Sequence, residues 1–343
     1  MYKFSKHKYI GLLGLCMAFA SCKVPAITQL PEKAQVPTTF NNITDTTNVA
    51  SLPWRSFFTD PNLVNLIDTA LKNNQELMST FQEIEIAKND IGFRKGQILP
   101  VVGARLGAGV EKVGRYTSQG AGDATTEIEP GREMPDPLPD FAASIYANWE
   151  VDIWKKLHNS KKAAVARYLA TVEGKNFVLT NLIAEIANSY YELLALDNQL
   201  DIVKQTISLQ NNALEIVKAQ KEAARTTELA VQKFRAEVLN SQSLEFNILQ
   251  KIKESENKIN FLLGRYPQEI PRDKGSFLGL IPPATQAGIP SQLLANRPDI
   301  KQAELELTAA KLDVKVARAE FYPSFGISAA FGLQAFKPSY LVK

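Results

Sequence analysis

The 343-residue sequence holds only two cysteines, Cys16 and Cys22, and two histidines, His7 and His158. A disulfide-stapled scaffold is therefore excluded. No cluster of histidine, cysteine and carboxylate residues has metal-ligand spacing. There is no Gly-x-Ser-x-Gly elbow and no phosphate-binding loop. Lysine plus arginine number 39 against 36 acids, a net charge of +3, so no strong field argues for nucleic acid. Acids and bases alternate along the chain instead of gathering into a basic patch. Beyond the N-terminus no run reaches the ~20 apolar residues of a transmembrane helix. These absences predict a protein that is not an enzyme, with no catalytic residue, no metal and no cofactor.

The N-terminus has the form of a secretory signal. Lys3, Lys6 and Lys8 precede an apolar stretch from Ile10 to Ala20, too short to span a bilayer. Small residues at Ala20 and Ser21 before Cys22 match the pattern at which bacterial lipoproteins are cleaved and acylated. Cys22 is the expected lipidation site, and Cys16 leaves with the leader. Any crossing of a membrane then falls to strands.

An aliphatic ladder at seven-residue spacing dominates the rest. Leu179, Ile186, Leu193, Leu200, Ile207 and Leu214 recur every seventh position, with Leu182, Leu196, Val203 and Val217 three behind. This is the seam of a coiled-coil helix. It predicts a helix from about His158 to Ala223, a turn over Glu222 to Leu229, and a return helix to about Leu263. The return seam is Val231, Phe234, Val238, Ile248, Ile252, Ile259 and Leu262, and Gly264 is the stop. The two helices are expected to pair antiparallel. Ser189, Gln210, Ser241 and Ser255 interrupt the seam with polar groups that favour one register. Upstream, Asp60-Pro61 reads as an N-cap and first helical position. A second helix is expected from about Gln75 to Gly96, with Leu77, Phe81, Ile84, Ala87 and Ile91 facing inward.

Strand patterning flanks the helices. Val102 to Val110 alternate with Gly103, Arg105, Gly107 and Gly109. Ala143 to Ile153 alternate with Ser144, Tyr146, Asn148, Glu150 and Asp152. Each run has the length and two-faced character of a tilted barrel strand, and Trp149 and Trp154 suit a membrane interface. A soluble half-buried hairpin has the same alternation. Arg105, Tyr146, Asn148, Glu150 and Asp152 are the candidate lumen-facing residues. The loop between the strands, about Gly114 to Asp140, reads as polar and irregular. A third strand pattern runs from Phe325 to Leu333. The glycines of 103–109 sit inside strand alternation and do not read as a phosphate loop.

A constant offset of 223 residues superposes two segments without a gap: Asn73 on Asn296, Leu77 on Ile300, Ala87 on Ala310 and Pro100 on Pro323. Both copies read helix, proline, strand, which is the mark of a duplicated unit. The second copy stops after its first strand, so the repeat predicts a longer parent, with the third barrel strand truncated.

Four stretches together resemble the outer membrane factors of tripartite efflux pumps, the TolC-like lipoprotein branch. They are Trp54 to Pro61, Trp149 to Trp154, Leu262-Leu263-Gly264 with Pro267, and Ile289 to Leu294 followed by Arg297-Pro298-Asp299-Ile300. The resemblance implies a mainly α fold with membrane strands: a long coiled-coil hairpin contributing to a helical tunnel, and strands of a trimeric transmembrane β-barrel. It implies a homotrimer lipid-anchored in the outer membrane and extending into the periplasm, which meets a periplasmic adaptor protein and, through it, an inner membrane transporter. The function implied is a passive conduit from periplasm to exterior. The hairpin tip, Arg225, Thr226, Thr227, Glu228 and Leu229, is the implied adaptor contact. Asp299 reads as charging a helix N-terminus, with Arg297 beside it in a structural role.

The resulting division is a leader over 1–21, a tether over 22–59, first-repeat helices over 60–100 and a barrel hairpin over 101–154. A coiled-coil hairpin over 155–265, a Pro-rich connector over 266–298, a second-repeat helix over 299–323 and a strand start over 324–343 complete it. The competing readings are a periplasmic adaptor lipoprotein, a non-functional fragment of a channel, and an enzyme with a helical insertion. The repeat generates a direct expectation: the native protein in outer membrane vesicles exceeds the processed, acylated 343-residue product by roughly a hundred residues or more. Intact mass measures this, and a mass matching the processed chain refutes it.

Overall fold

The computed structural model describes residues 36–37, 39, 52–275, 277–279 and 288–342. Cys22 and most of the tether lie outside the described residues. The elements in order are helices α1 (Trp54–Phe57), α2 (Pro61–Asn73) and α3 (Gln75–Gln97), then strand β1 (Val101–Glu111). Next come α4 (Ser118–Asp123) and the strands β2 (Glu127–Glu129), β3 (Arg132–Glu133) and β4 (Leu138–Val151). The long helices α5 (Lys156–Glu222) and α6 (Glu228–Leu262) follow, then α7 (Pro290–Asn296), α8 (Pro298–Ala319) and β5 (Phe325–Ala335). Two compact units divide the chain. One comprises Ala87–Arg167 and Leu307–Lys343, and the other Glu32–Ile86 and Tyr168–Glu306.

The second unit is organised by the seam of α5. Ile186 and Leu193 are fully buried, and Leu182, Leu196, Val203 and Leu214 nearly so. One cluster gathers this stripe as far as Val203 with Leu63, Leu66, Ile67 and Ala70 of α2 and Ile248, Ile252 and Ile259 of α6. A smaller cluster joins Leu214 to Val231 and Val238. Each fully buried Leu or Ile contributes about 1.5–3 kcal/mol relative to exposure, so the ladder supplies much of the stability of a helix that local propensity alone would not hold. Phe81 and Phe234, expected inward, are instead exposed. Each has a correctly spaced position but no facing element within its own unit. Ser255 Oγ donates to Ser189 O at 3.3 Å across the helix pair, so two of the seam's polar interruptions do meet.

Polar contacts fix the ends of these helices. Asp60 caps α2, accepting from Asn62 N at 2.8 Å, and its other oxygen accepts from the buried Tyr190 hydroxyl at 2.6 Å. Burial, and then the bond to Asp60, push the Tyr190 phenol above its ordinary range. Asn74, between α2 and α3, accepts from Leu77 N at 2.8 Å and donates to Leu262 O at 2.9 Å. Gly264 closes α6 at φ +64°, and a Cβ there would strike the Asn73 carbonyl. Only glycine fits. Beyond it, the guanidinium of Arg272 is 2% exposed. It binds both oxygens of Asp197 on α5, Glu256 of α6 at 2.9 Å and Ile270 O at 3.0 Å. One side chain thus ties the connector to both long helices. Burial alone would raise the Glu256 carboxyl, but Lys253 and Arg272 outweigh it and hold it below its ordinary value.

The first unit carries a three-stranded antiparallel sheet in the order β1-β4-β5. β4 starts at Leu138, not near Ala143, because β1 pairs with it along the whole distance, Glu111 opposite Leu138. Pro139 falls where β5 does not reach, since that pairing begins at Phe141; there a missing N–H is tolerated. The segment expected to be an irregular loop holds α4 and the β2–β3 hairpin. The Pro-rich connector likewise contains α7, opened by Pro290 in the first helical position. The repeat is visible in the elements: an offset of 223 carries the end of α2 at Asn73 onto the end of α7 at Asn296. It also carries the start of α3 at Gln75 onto the start of α8 at Pro298.

Replacing Arg272 with methionine leaves two buried carboxylates facing each other without their cation. The expected loss is about 3–5 kcal/mol, read as a lowered melting temperature of the detergent-solubilised protein by circular dichroism. Because the folded Glu256 pKa lies below its unfolded value, the stabilisation is complete above the ordinary glutamate range. It is lost as pH falls through the folded value, so the gap between wild type and variant narrows in acid.

Candidate functional site

The strand register sorts side chains onto two faces. On one face lie Val102, Ala104, Leu106, Ala108 and Val110 of β1, Phe141, Ala143, Ile145, Ala147 and Trp149 of β4, and Ile327, Ala329, Phe331 and Leu333 of β5. No charged residue occurs on it. Yet Leu106 is 86% and Phe331 81% exposed, which in water is an aggregation hazard and in a bilayer is the expected condition. From Val102 to Val110 the band spans about 26 Å along the strand, roughly 20 Å of membrane height at a barrel strand's tilt of about 40°, which covers most of an apolar belt about 25 Å tall.

The opposite face carries Gly103, Arg105, Gly107 and Gly109 against Tyr146, Ser144, Ala142 and Asp140, with Ala330, Gly332 and Gln334 beyond. Arg105, Tyr146, Asn148 and Glu150 share this face. Asp152 does not: β4 ends at Val151, and the Asp152 carboxylate turns to the start of α5. It accepts from Leu157 N at 3.1 Å and His158 N at 2.8 Å, and lies 2.6 Å from His158 Nδ1. Helix capping outcompetes strand alternation there because the first-turn amides have no other acceptor. Burial would raise the Asp152 carboxyl, but the His158 ring and the two amides hold it below its usual value.

Aromatic side chains mark the end of the sheet where the helices begin. Trp149 Nε1 donates to Ile98 O at 3.0 Å and Trp154 Nε1 to Pro323 O at 2.9 Å. The Trp154 ring stacks on Tyr322 with centroids 4.6 Å apart. Such amphipathic rings are enriched at membrane interfaces. A cleft of about 720 Å³ opens at this end, with Glu150 paired to Lys156 at 2.5 Å on its wall and Arg94 and Glu320 beside it.

At the far end of the α5–α6 hairpin the turn passes through Ala224 at φ +56°. Arg225, Thr227, Glu228 and Leu229 are exposed, Leu229 to 79%, and Thr226 is half-buried. Glu228 is tied to its own hairpin by Lys221 and by Gln232 Nε2 at 2.6 Å, and these contacts hold its carboxyl low. Arg297 and Asp299 bind each other at the start of α8, Nε to Oδ1 at 3.0 Å. Among the described residues no group of His, Cys, Asp and Glu is placed to hold a metal. A second heptad stripe on α5 is a feature the sequence reading passed over. Ile202, Leu209 and Ile216 sit two residues behind the buried seam and are more than half exposed. Their spacing was a readable signal.

The sequence profile of the outer membrane efflux protein family matches residues 66–265 and 289–339. The chain belongs to that family. Among its relatives, the pyoverdine export outer membrane protein OpmQ of Pseudomonas aeruginosa is 28% identical over 327 residues, taking in 94% of this chain and 67% of OpmQ. SilC of Salmonella typhimurium, a probable outer membrane lipoprotein, is 27% identical over 276 residues, 80% of this chain and 56% of SilC. A membrane protein of Pseudomonas aeruginosa shares the fold, with a TM-score of 0.79 at 24% identity over 94% of this chain and 70% of that one. The chain thus spans between about half and about two thirds of the length of the proteins it matches. Family membership favours the channel reading over the periplasmic adaptor.

For an outer membrane efflux protein, the uncharged sheet face predicts a depth-dependent penalty. Leu106→Arg, at mid-strand, is expected to lower folding stability in bilayers by about 2–4 kcal/mol, measured by urea unfolding of the vesicle-reconstituted protein. An unchanged midpoint contradicts a lipid-facing position.

Proposed function

We propose that this chain is a protomer of an outer membrane channel that passes solutes passively from the periplasm to the exterior as part of a tripartite export system. The observation that carries the reading is the sheet: one face bears no charge along its length, and among the described residues both outer edges, of β1 and β5, are unpaired. Lipid tolerates no open strand edge, so such a sheet is completed only by further strands. The continuation of a longer parent chain and other copies in a homotrimer supply them, as the internal repeat and the family resemblance imply. The exposed stripe of Ile202, Leu209 and Ile216 fits helix packing between neighbours in the tunnel below. The lumen-facing residues are Arg105, Tyr146, Asn148 and Glu150. Acylated Cys22 adds a second attachment to the outer membrane. The tip residues Arg225 to Leu229 meet a periplasmic adaptor, which bridges to an inner membrane transporter.

The test is expression with the native leader in a Gram-negative host. The protein is expected in the outer membrane fraction, labelled by radioactive palmitate and migrating as a trimer in unheated detergent gels. Cys22→Ser loses the label and stays in the membrane, held by the strands. Release of that variant as a soluble protein sinks the channel reading. At the tip, Leu229→Asp is expected to abolish cross-linking to the adaptor while leaving the trimer intact; cross-linking that persists removes the tip from the contact.

A further inference from the structure

Among the described residues, the polar face of the sheet carries one cation at mid-strand that has no ion-pair partner. Arg105 lies opposite Ser144, which in turn lies opposite Gly332. The rows on either side hold Gly103, Tyr146 and Ala330, and Gly107, Ala142 and Gln334. A Cβ at Gly107 would meet nothing within 4 Å, and the Tyr146 ring lies against Gly103 instead of over the arginine. Arg105 makes no hydrogen bond or ion pair with a described residue. The acids of this face stand outside these three rows. Asp140 accepts from Gln334 Nε2 at 2.9 and 3.0 Å, and Glu150 is paired with Lys156 at 2.5 Å. Glu111 lies at the outer end of β1, six residues from Arg105.

We infer that Arg105 sets the charge selectivity of the channel, forming a ring of guanidinium groups in mid-barrel that favours solutes of net negative charge. The inference rests on the trimeric channel proposed above. A guanidinium stays charged at every physiological pH. It sits where the membrane's low dielectric surrounds the aqueous passage, so its field acts on whatever crosses. Charged rings of this kind select ions by sign, arginine favouring anions. The small residues around it leave the long side chain free to project into the passage, and no acid shares its row or the rows on either side.

The experiment is planar-bilayer recording of the reconstituted trimer in a potassium chloride gradient, reading the chloride-to-potassium permeability ratio. Arg105→Gln is expected to lower that ratio about threefold or more, with single-channel conductance retained, and Arg105→Lys to keep it near the wild-type value. Ser144→Asp places a carboxylate directly opposite the arginine. It is expected to produce the same fall with Arg105 still present, which keeps the proposal testable should the glutamine variant fail to assemble. Permeability ratios unchanged in both variants, with normal conductance steps, overturn the inference and leave the channel standing. Absence of any conductance step in the wild type overturns the channel and the inference with it.

Discussion

The packing of one stripe of α5 against α2 and α6 is the interaction on which the rest depends. A helix of 67 residues, about 100 Å long, has no compact domain to enclose it and must find its partners along its own length. The seam does this with residues seven apart, and everything else in that unit is attached to it. Tyr190 of α5 receives Asp60 and orients α2. Asp197 of α5 receives Arg272 and fixes the connector. Remove the stripe and these polar contacts would have no rigid surface to hold.

The helical part of this arrangement was legible because its determinants are periodic and local. The seven-residue ladder, the Asp60-Pro61 cap and the Gly264 stop each act within one or two turns, and each appears in the structure where its chemistry demands. Phe81 and Phe234 escaped the same logic. Their spacing was right, but burial needs a facing element, which one chain's periodicity cannot supply. The Arg272 cluster was not readable at all: its carboxylates lie 75 and 16 residues away in sequence, and no local pattern links them.

The candidate site divides in the same way. The two faces of the sheet follow from a period of two, so Arg105, Tyr146, Asn148 and Glu150 were placed together from sequence. Asp152 was extrapolated one step too far, across the point where strand hydrogen bonding gives way to the needs of a helix start. Alternation carries no information about where pairing ends. The turn structure between β1 and β4 was missed for a related reason: α4 and the β2–β3 hairpin are short, rich in glycine and polar residues, and supported by nonlocal contacts such as Arg132 with Tyr340. The duplication compensated in part, since two copies 223 residues apart gave the α2–α3 junction a second witness at the α7–α8 junction.

The close approach of Tyr146 to Gly103 has a consequence for the calibre of the proposed barrel. A Cβ at Gly103 would stand 2.5 Å from Tyr146 Cζ, so the phenol lies flush with the backbone of the neighbouring strand. The wall at that row is therefore as thin as an aromatic ring seen edge-on. A residue with any side chain at 103 would tilt the ring inward, and three protomers would repeat the tilt around the circumference. The absence of a single methyl group at 103 is what lets the ring lie against the wall there.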